Sequence, residues 1–148
     1  MFHWLHAADI AKVNEEELQW LFRWYCHIDP GAPALSSEQV RAACMALVQL
    51  FSLEALILTL GHRGSVYFSA GGEVIVNGDN PAPPFVLDTV GAGDAFCALF
   101  LLGRQRGWEL GTTLARANEF AGAICAVPGA VPQDLGFYDK WATRWRSS

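Results

Sequence analysis

The stretch Asp-Thr-Val-Gly-Ala-Gly-Asp at residues 88–94 decides how the rest of the chain is interpreted. Residues 85–88 predict a short strand, and residues 95–102, which are apolar all round, predict a buried helix. Between them, two glycines let the backbone approach a ligand closely, and the first turn of a helix carries N–H groups that attract anions. Asp94, in that first turn, could accept a proton from a hydroxyl that attacks a bound phosphate group. The alternative is that Asp94 complements the helix dipole and that the glycines form a tight turn.

Strands and helices alternate outward from this stretch. Residues 9–13 predict a strand, and a helix with an apolar face begins after Asn14. A capping box at residues 36–39 predicts the start of a second helix, and the apolar run at residues 55–60 is typical of a strand covered on both faces. The other predicted elements are a β-hairpin at residues 65–69 and 73–76, an extended loop at residues 77–84, and helices near residues 112–126 and 138–145. This order predicts a layered α/β fold with a mainly parallel sheet and one inserted hairpin.

The composition excludes several classes of protein. The chain has 148 residues, which predicts a single domain over residues 1–148. Hydrophobic residues make up 52% and charged residues 17% of the chain, a balance that excludes intrinsic disorder. The net charge of −5 argues against a nucleic-acid-binding protein that uses a basic surface. The most apolar stretch, residues 40–60, is interrupted by polar side chains, which argues against a membrane-spanning segment.

The cysteines and the first residues predict the compartment. The four cysteines are scattered, with no C-x-x-C pair and no His/Cys cluster at metal-ligand spacing. Buried thiols in a reducing compartment are the simplest interpretation. The first residues lack the basic and apolar regions of a signal peptide, so we expect a cytoplasmic protein.

Four motifs in the same order resemble the PfkB, or ribokinase-like, family of carbohydrate kinases. They are the stretch at residues 88–94, the N-x-x-E segment that ends residues 8–17, the T-x-G-x-x-G segment at residues 59–64, and Asn118 on the helix that follows. The resemblance runs from about residue 8 to about residue 133. It implies a ribokinase-like α/β/α fold and an ATP-dependent phosphotransferase that acts on a sugar hydroxyl.

The resemblance also implies a role for each matching position. Asp94 would be the catalytic base, and the amides of Gly91, Ala92 and Gly93 would form an anion hole for the transferred phosphoryl group. The residues implied to contact ATP are Thr59, Gly61, Gly64, Thr89 and Asn118. Those implied to hold metal ions are Asn14 and Glu17 for Mg²⁺, with Asp88 and the Val90 carbonyl, beside the backbone of residues 127–129, for a monovalent cation such as K⁺.

Two of these assignments have structural alternatives. Asn14 and Glu17 also form a sound helix-capping pair, which explains them about as well as metal binding does. Asn118 could equally be an ordinary exposed helix residue. The prediction of an active site therefore rests mainly on Asp94 and the turn formed by residues 91–93.

The chain departs from the family in lacking its first half. That half normally carries N-terminal strands, most sugar-binding residues, a G-G motif and a small β lid. Three hypotheses follow: the catalytic half of a sugar kinase that works as a homodimer or with a partner supplying the missing half, a nucleotide-binding module without turnover, and an interaction protein whose motifs persist without use. The surplus of apolar residues, five of the six Trp near the chain ends among them, predicts a buried dimer interface near residues 1–25.

Overall fold

The computed structural model describes residues 3–27, 37–78 and 86–146. Its strands are β1 (Ile10–Asn14), β2 (Ala55–Thr59), β3 (Ser65–Ser69) and β4 (Val74–Asn77). Its α-helices are α1 (Glu15–Leu21), α2 (Ser37–Leu50), α3 (Ala92–Arg106), α4 (Leu110–Ile124) and α5 (Leu135–Arg146). The structure also contains three short helical segments: a 3₁₀ helix at His3–Ala7, a π-helical turn at Phe22–Cys26 and a 3₁₀ turn at Gly61–Arg63. The first residue of the predicted capping box, Ser36, and most of the predicted loop at residues 77–84 lie outside the described residues.

The chain divides into two compact units, Met1–Asn80 and Pro81–Ser148. A single domain over residues 1–148 stays a prediction. The α/β class predicted from the sequence is confirmed, because strands and helices alternate along the chain.

The first unit contains a four-stranded sheet in the order β1-β2-β3-β4. Strands β1 and β2 are parallel, because α1 and α2 provide the long crossover that a parallel pair needs. The β2–β3 and β3–β4 pairs are antiparallel, since the connections at residues 60–64 and 70–73 are too short for a crossover. The predicted hairpin is therefore confirmed, whereas the expectation of a mainly parallel sheet is corrected to a mixed sheet.

The core of the first unit lies between this sheet and the helical layer formed by α1, the π-helical turn and α2. All four residues from Ala55 to Leu58 in β2 are buried, as the continuous apolar run predicted. The buried face of α2 consists of Ala43, Cys44, Leu47 and Val48, which recur at helical spacing. At about 25 cal/mol per Å² of apolar surface, this burial is the main stabilising contribution to the unit.

The tryptophans expected near an interface differ in their exposure. Trp4 is 82% exposed, and Trp20 and Trp24 are each about two-fifths exposed, with their rings 5.4 Å apart. Trp141, by contrast, is buried in the second unit, where its ring meets Phe120 edge-on at 5.7 Å. Among the six tryptophans, all of which the structure describes, only the three of the first unit are exposed.

The second unit is built on the packing of α3 against α4. At Gly103 a Cβ atom would lie 2.5 Å from Cγ2 of Thr113, so the glycine allows the two helices to approach closely. Helix α3 is not buried all round as predicted, because Leu101 is 63% exposed and Ala98 is exposed as well. No helix in the three described segments combines the length and the apolarity needed to cross a bilayer.

The strand predicted at residues 85–88 does not form in its described part. Phe85 lies outside the described residues, and Val86 to Asp88 have no strand structure. The N–H groups of Leu87 and Asp88 instead donate to the Cys125 carbonyl, at 2.9 Å and 3.3 Å. These backbone donors are satisfied by the C-terminal end of α4, so the segment needs no neighbouring strand.

Candidate active site

In the first unit, the predicted nucleotide and metal residues lie at one end of the sheet. Asn14 and Thr59 are the last residues of the parallel strands β1 and β2, and they are direct register partners. The Thr59 hydroxyl donates a hydrogen bond to the carbonyl oxygen of Val13 at 3.3 Å. The carboxyl ends of parallel strands are the usual ligand-binding edge of an open α/β sheet.

Asn14 and Glu17 form a complete capping box at the start of α1. The Glu17 N–H donates to Oδ1 of Asn14, and the Asn14 N–H donates to Oε2 of Glu17, both at 2.8 Å. The capping interpretation is therefore confirmed. Both residues are exposed and carry the oxygen atoms that Mg²⁺ prefers, but their role as metal ligands stays a prediction. Within the described residues, no group of three or more His, Cys, Asp or Glu side chains could hold a metal by itself.

The loop after β2 is shaped by its two predicted glycines. Gly61 has a φ of 60° and Gly64 a φ of 94°, in the left-handed region that favours glycine. The Leu60 N–H donates to the Gly64 carbonyl at 2.8 Å, and the Gly64 N–H donates back to the Gly61 carbonyl at 3.1 Å. No other atom lies within 4 Å of the position that a Gly61 Cβ would occupy, so a ligand could approach this backbone closely.

An ion pair that sequence reasoning missed joins this loop to α1. The Arg63 guanidinium contacts the Glu15 carboxylate at 2.5 Å, and this hydrogen bond and charge raise the pKa of Arg63. Both side chains are about half exposed, so the pair contributes little to stability. Its effect is to hold the glycine loop beside the first turn of α1. The signal was present in opposite charges that follow two paired strands, Glu15 directly after β1 and Arg63 four residues after the end of β2, but only the β1–β2 register brings them together.

In the second unit, α3 begins without a side-chain cap. Gly91 is the N-cap residue, with a left-handed φ of 83° and no side chain to accept a hydrogen bond. The other described helix starts differ: Asn14 caps α1, the Glu109 carboxylate accepts from Gly111 and Thr112 at α4, and Asp134 accepts from Gly136 at α5. No side chain caps the first turn of α3, and its amides other than that of Ala92, which donates to the Thr89 carbonyl, are therefore open to a ligand.

The predicted catalytic residue lies in that first turn. Asp94 and Gly93 are exposed, while Gly91 and Ala92 are half-buried. The exposed Thr89 closes the turn, since its carbonyl accepts the Ala92 N–H at 3.3 Å. The structure thus brings residues 89–94 into one partly exposed turn that carries both N–H donors and a carboxylate.

The two segments of the predicted monovalent-cation loop lie side by side. Besides the hydrogen bonds to Cys125, a Cβ at Gly91 would lie 2.6 Å from Cβ of Ala130. The Asp88 carboxylate accepts the Val90 N–H at 2.9 Å. Burial, and secondarily the charge of Asp88, raise the pKa of the Cys125 thiol. Residues 88–91 are thereby held against residues 125–130, whereas cation binding there stays a prediction.

Asn118 lies on α4, two turns before its C-terminal end, and is half-buried. It takes part in an interaction with another group, and this leaves both interpretations of Asn118 open. Its contact with a nucleotide stays a prediction.

Comparison with known proteins agrees with the motifs. A family model described as pfkB family carbohydrate kinase matches residues 2–134. A ribokinase of Arabidopsis thaliana is 32% identical over 128 residues, which are 86% of this chain and 31% of that protein. A 1-phosphofructokinase of Haemophilus influenzae is 27% identical over 130 residues, which are 88% of this chain and 38% of the relative.

Comparison with solved structures agrees with the sequence comparison. The structure of Arabidopsis thaliana ribokinase complexed with ribose and ATP superimposes with a TM-score of 0.70 at 31% identity, over 85% of this chain and 37% of that one. The chain thus spans about a third of the length of the relatives it matches. Because the family model covers nearly the whole sequence and the ribokinase-like fold is shared, the chain belongs to the pfkB family of carbohydrate kinases.

Proposed function

We propose that this chain carries the nucleotide-binding and phosphoryl-transfer part of a kinase that moves the γ-phosphoryl group of ATP to a sugar hydroxyl. One observation carries the proposal: the uncapped N-terminus of α3, where Gly91 replaces a capping side chain and Asp94 is exposed in the first turn. Family membership and the ATP and ribose named for the Arabidopsis structure support it.

In this proposal Asp94 is the general base. Its carboxylate accepts the proton of the attacking hydroxyl, so that the oxygen bonds to phosphorus as the bond to the ADP oxygen breaks. The amides of Gly91 and Gly93 donate to the oxygens of the transferred group, and the amide of Ala92 joins them once it releases the Thr89 carbonyl. Because the helix already fixes these donors, little reorganisation is needed when negative charge develops.

The first unit is proposed to contact the nucleotide through Thr59, Gly61 and Gly64. Asn14 and Glu17 are the candidates for Mg²⁺, which when bound neutralises the charge of the phosphates. The fit is chemically reasonable: the capping box uses Asn14 Oδ1 and Glu17 Oε2, so Oε1 of Glu17 keeps its lone pairs available among the described residues. Mg²⁺ usually keeps several waters and takes only one or two carboxylates besides phosphate oxygens.

In the second unit, Thr89 and Asn118 are proposed as further nucleotide contacts. Asp88 and the Val90 carbonyl are proposed to hold K⁺ beside the backbone of residues 127–129. The support is the adjacency of these two segments, which a bound cation would reinforce.

The acceptor is proposed at the level of its class, a small sugar or sugar phosphate, from the names ribokinase and 1-phosphofructokinase among the relatives. A second copy of the chain, or a partner that supplies the rest of the family's fold, would complete the site. The four cysteines are free, which supports a reducing, cytoplasmic location.

The test is a phosphoryl-transfer assay with the chain, Mg²⁺, K⁺ and ATP against ribose, fructose and their phosphates, followed by ³¹P NMR. We expect formation of ADP and a sugar phosphate, lost in Asp94→Asn. Asp139→Asn is the matched control, because Asp139 is an exposed carboxylate of α5 in the same unit. No transfer to any acceptor, or equal transfer by Asp94→Asn, would contradict the proposal.

A second candidate function is nucleotide binding without turnover. The observation that favours it is the capping box, which already engages one oxygen of each proposed Mg²⁺ ligand. Calorimetry together with the transfer assay distinguishes the two functions. This candidate predicts saturable binding of ADP with Mg²⁺ and no formation of sugar phosphate. If neither ADP binding nor sugar phosphate is observed, this candidate is excluded.

A further inference from the structure

The guanidinium of Arg116, in the second unit, lies over an aromatic ring and is partly buried. Arg116 lies on α4, and its guanidinium is 4.2 Å from the centre of the Trp108 ring. The residue is half-buried, and its Nη1 atom is buried without a hydrogen-bond partner among the described residues. Stacking on an aromatic face is favourable for Arg, but it satisfies none of the N–H donors, which lie in the plane of the guanidinium.

A second unsatisfied donor belongs to the same aromatic cluster. The Trp145 ring meets Trp108 edge-on at 6.1 Å and Phe120 at 5.8 Å. Its indole Nε1 is also buried, with no hydrogen-bond partner within residues 3–27, 37–78 and 86–146. Arg and Trp side chains are donors only, so these two groups cannot satisfy each other.

The acidic side chains closest in sequence to Arg116 are already engaged. Glu109 accepts the N–H groups of Gly111 and Thr112 at 2.9 Å and 2.8 Å, which lowers its pKa. Glu119, three residues after Arg116 on the same helix, pairs with Arg144 of α5. A buried cationic donor without an acceptor is costly, so an acceptor from outside the described residues is favoured here.

We propose that Arg116 and Trp145 bind a small oxyanion, a carboxylate or a phosphate, beside Trp108. Guanidinium N–H groups match the planar or tetrahedral oxygens of these anions, and the indole N–H of Trp145 is a second kind of donor in the same aromatic cluster. The site is separate from the proposed active site. A Cβ at Gly103 would lie 3.0 Å from Trp108, and Gly103 is nine residues beyond Asp94, about 13 Å along the axis of α3.

The indole N–H signal of Trp145 tests this proposal at the site itself. Each Trp gives one indole resonance in a ¹H–¹⁵N spectrum, and Trp145→Phe identifies that of Trp145 while keeping an aromatic ring. We expect sodium phosphate or sodium acetate, each titrated into the full chain, to shift this resonance downfield in a saturable way. Sodium chloride at equal ionic strength should not. The two titrations distinguish a phosphate ligand from a carboxylate ligand. The site selects the class of the anion that saturates the shift at the lower concentration.

Arg116→Gln, which keeps much of the side-chain volume but removes the charge, should weaken the response about tenfold or abolish it. Arg41→Gln is the control, because Arg41 is an exposed arginine of α2 in the first unit. If the Trp145 resonance does not respond to either anion, or responds equally in Arg116→Gln, solvent satisfies these donors and the proposal is wrong. Phosphate bound at α3 would leave this resonance unmoved, so the result does not depend on the proposed function.

Discussion

Gly91 lies directly against Ala130, and no side chain fits between them. A Cβ at Gly91 would be 2.6 Å from Cβ and 2.7 Å from Cα of Ala130, and Gly91 also has a φ of 83°. Close approach and left-handed conformation thus demand glycine at the same position. The turn that carries the proposed anion hole is held in place by the segment that follows α4.

Gly91→Ala should lower the free energy of unfolding by at least about 2 kcal/mol, since it combines overpacking against backbone with a left-handed conformation. Urea denaturation followed by circular dichroism measures the change. Gly107→Ala is the matched control: φ is 69° at the other end of α3, but no atom lies within 4 Å of the added Cβ, so a loss of only about 1 kcal/mol is expected. Equal losses in the two variants would show that contact with Ala130 is unimportant.

The Asn14 side chain can be tested as a cap separately from any metal role. Asn14→Ala should cost about 1 kcal/mol of unfolding free energy, because the Glu17 N–H loses its acceptor. Asn14→Ser should restore most of this stability, since serine is an equally good cap. Both are compared by denaturation in the presence of a chelator, so that metal binding does not contribute. A loss in Asn14→Ser as large as that in Asn14→Ala would contradict the capping role.

Glu109 should make stability depend on pH. Two backbone N–H groups hold its pKa below the ordinary value of 4.5. A carboxyl group with a lowered folded-state pKa stabilises the protein above its unfolded pKa, and the contribution is lost as the pH falls through the folded value. Glu109→Gln should therefore unfold at a lower urea concentration than the wild type at neutral pH, and this difference should vanish in acid.

The control for that variant is Glu73→Gln, since the Glu73 side chain lies exposed in the turn before β4 and makes no hydrogen bond in the described part of the chain. Glu73→Gln should follow the wild type at every pH. A difference between Glu109→Gln and the wild type that stays constant into acid would refute a charge-dependent cap.

Cys44 should be the least reactive thiol of its unit. Burial raises its pKa to about 12, and the neighbouring Cys26 adds to the shift. Because only the thiolate is alkylated, a pulse of iodoacetamide at mildly alkaline pH should label Cys44 at least about tenfold more slowly than Cys26, which is half-buried. Peptide mapping by mass spectrometry measures both rates. Denatured protein, in which the two should react alike, is the control, and comparable rates in the native chain would contradict the expectation.

The exposed tryptophans of the first unit are consistent with the prediction of a homodimer with an interface near residues 1–25. Light scattering should give twice the chain mass of 16.2 kDa. Trp4→Gln should shift the chain toward monomer, because it removes the most exposed aromatic ring, whereas Val76→Gln, at a 69% exposed position of β4, should not. A monomer at all concentrations would refute this prediction.

Much of the fold followed from local patterns. The buried run of β2, the apolar face of α2 and the hairpin of β3 and β4 were predicted because periodic burial and turn residues act over short distances. The residues 86–88 were predicted wrongly as a strand, since an extended apolar segment does not specify its hydrogen-bond partner, here the Cys125 carbonyl. The sheet was predicted to be mainly parallel but is mixed. Helix–strand alternation favours parallel strands, whereas the short connections on either side of β3 allow only antiparallel pairing.

The sequence by itself determined the family, the candidate base Asp94 and the capping box of Asn14 and Glu17, because each motif behind them lies within a few residues of the chain. Tertiary structure alone decided that Arg63 pairs with Glu15, that Gly91 meets Ala130 and that Arg116 stacks on Trp108. The physical reason is the separation along the chain over which each interaction acts. Backbone preference, periodicity and capping are settled within a few residues, whereas these contacts exist only after strand register and helix packing have brought distant segments together.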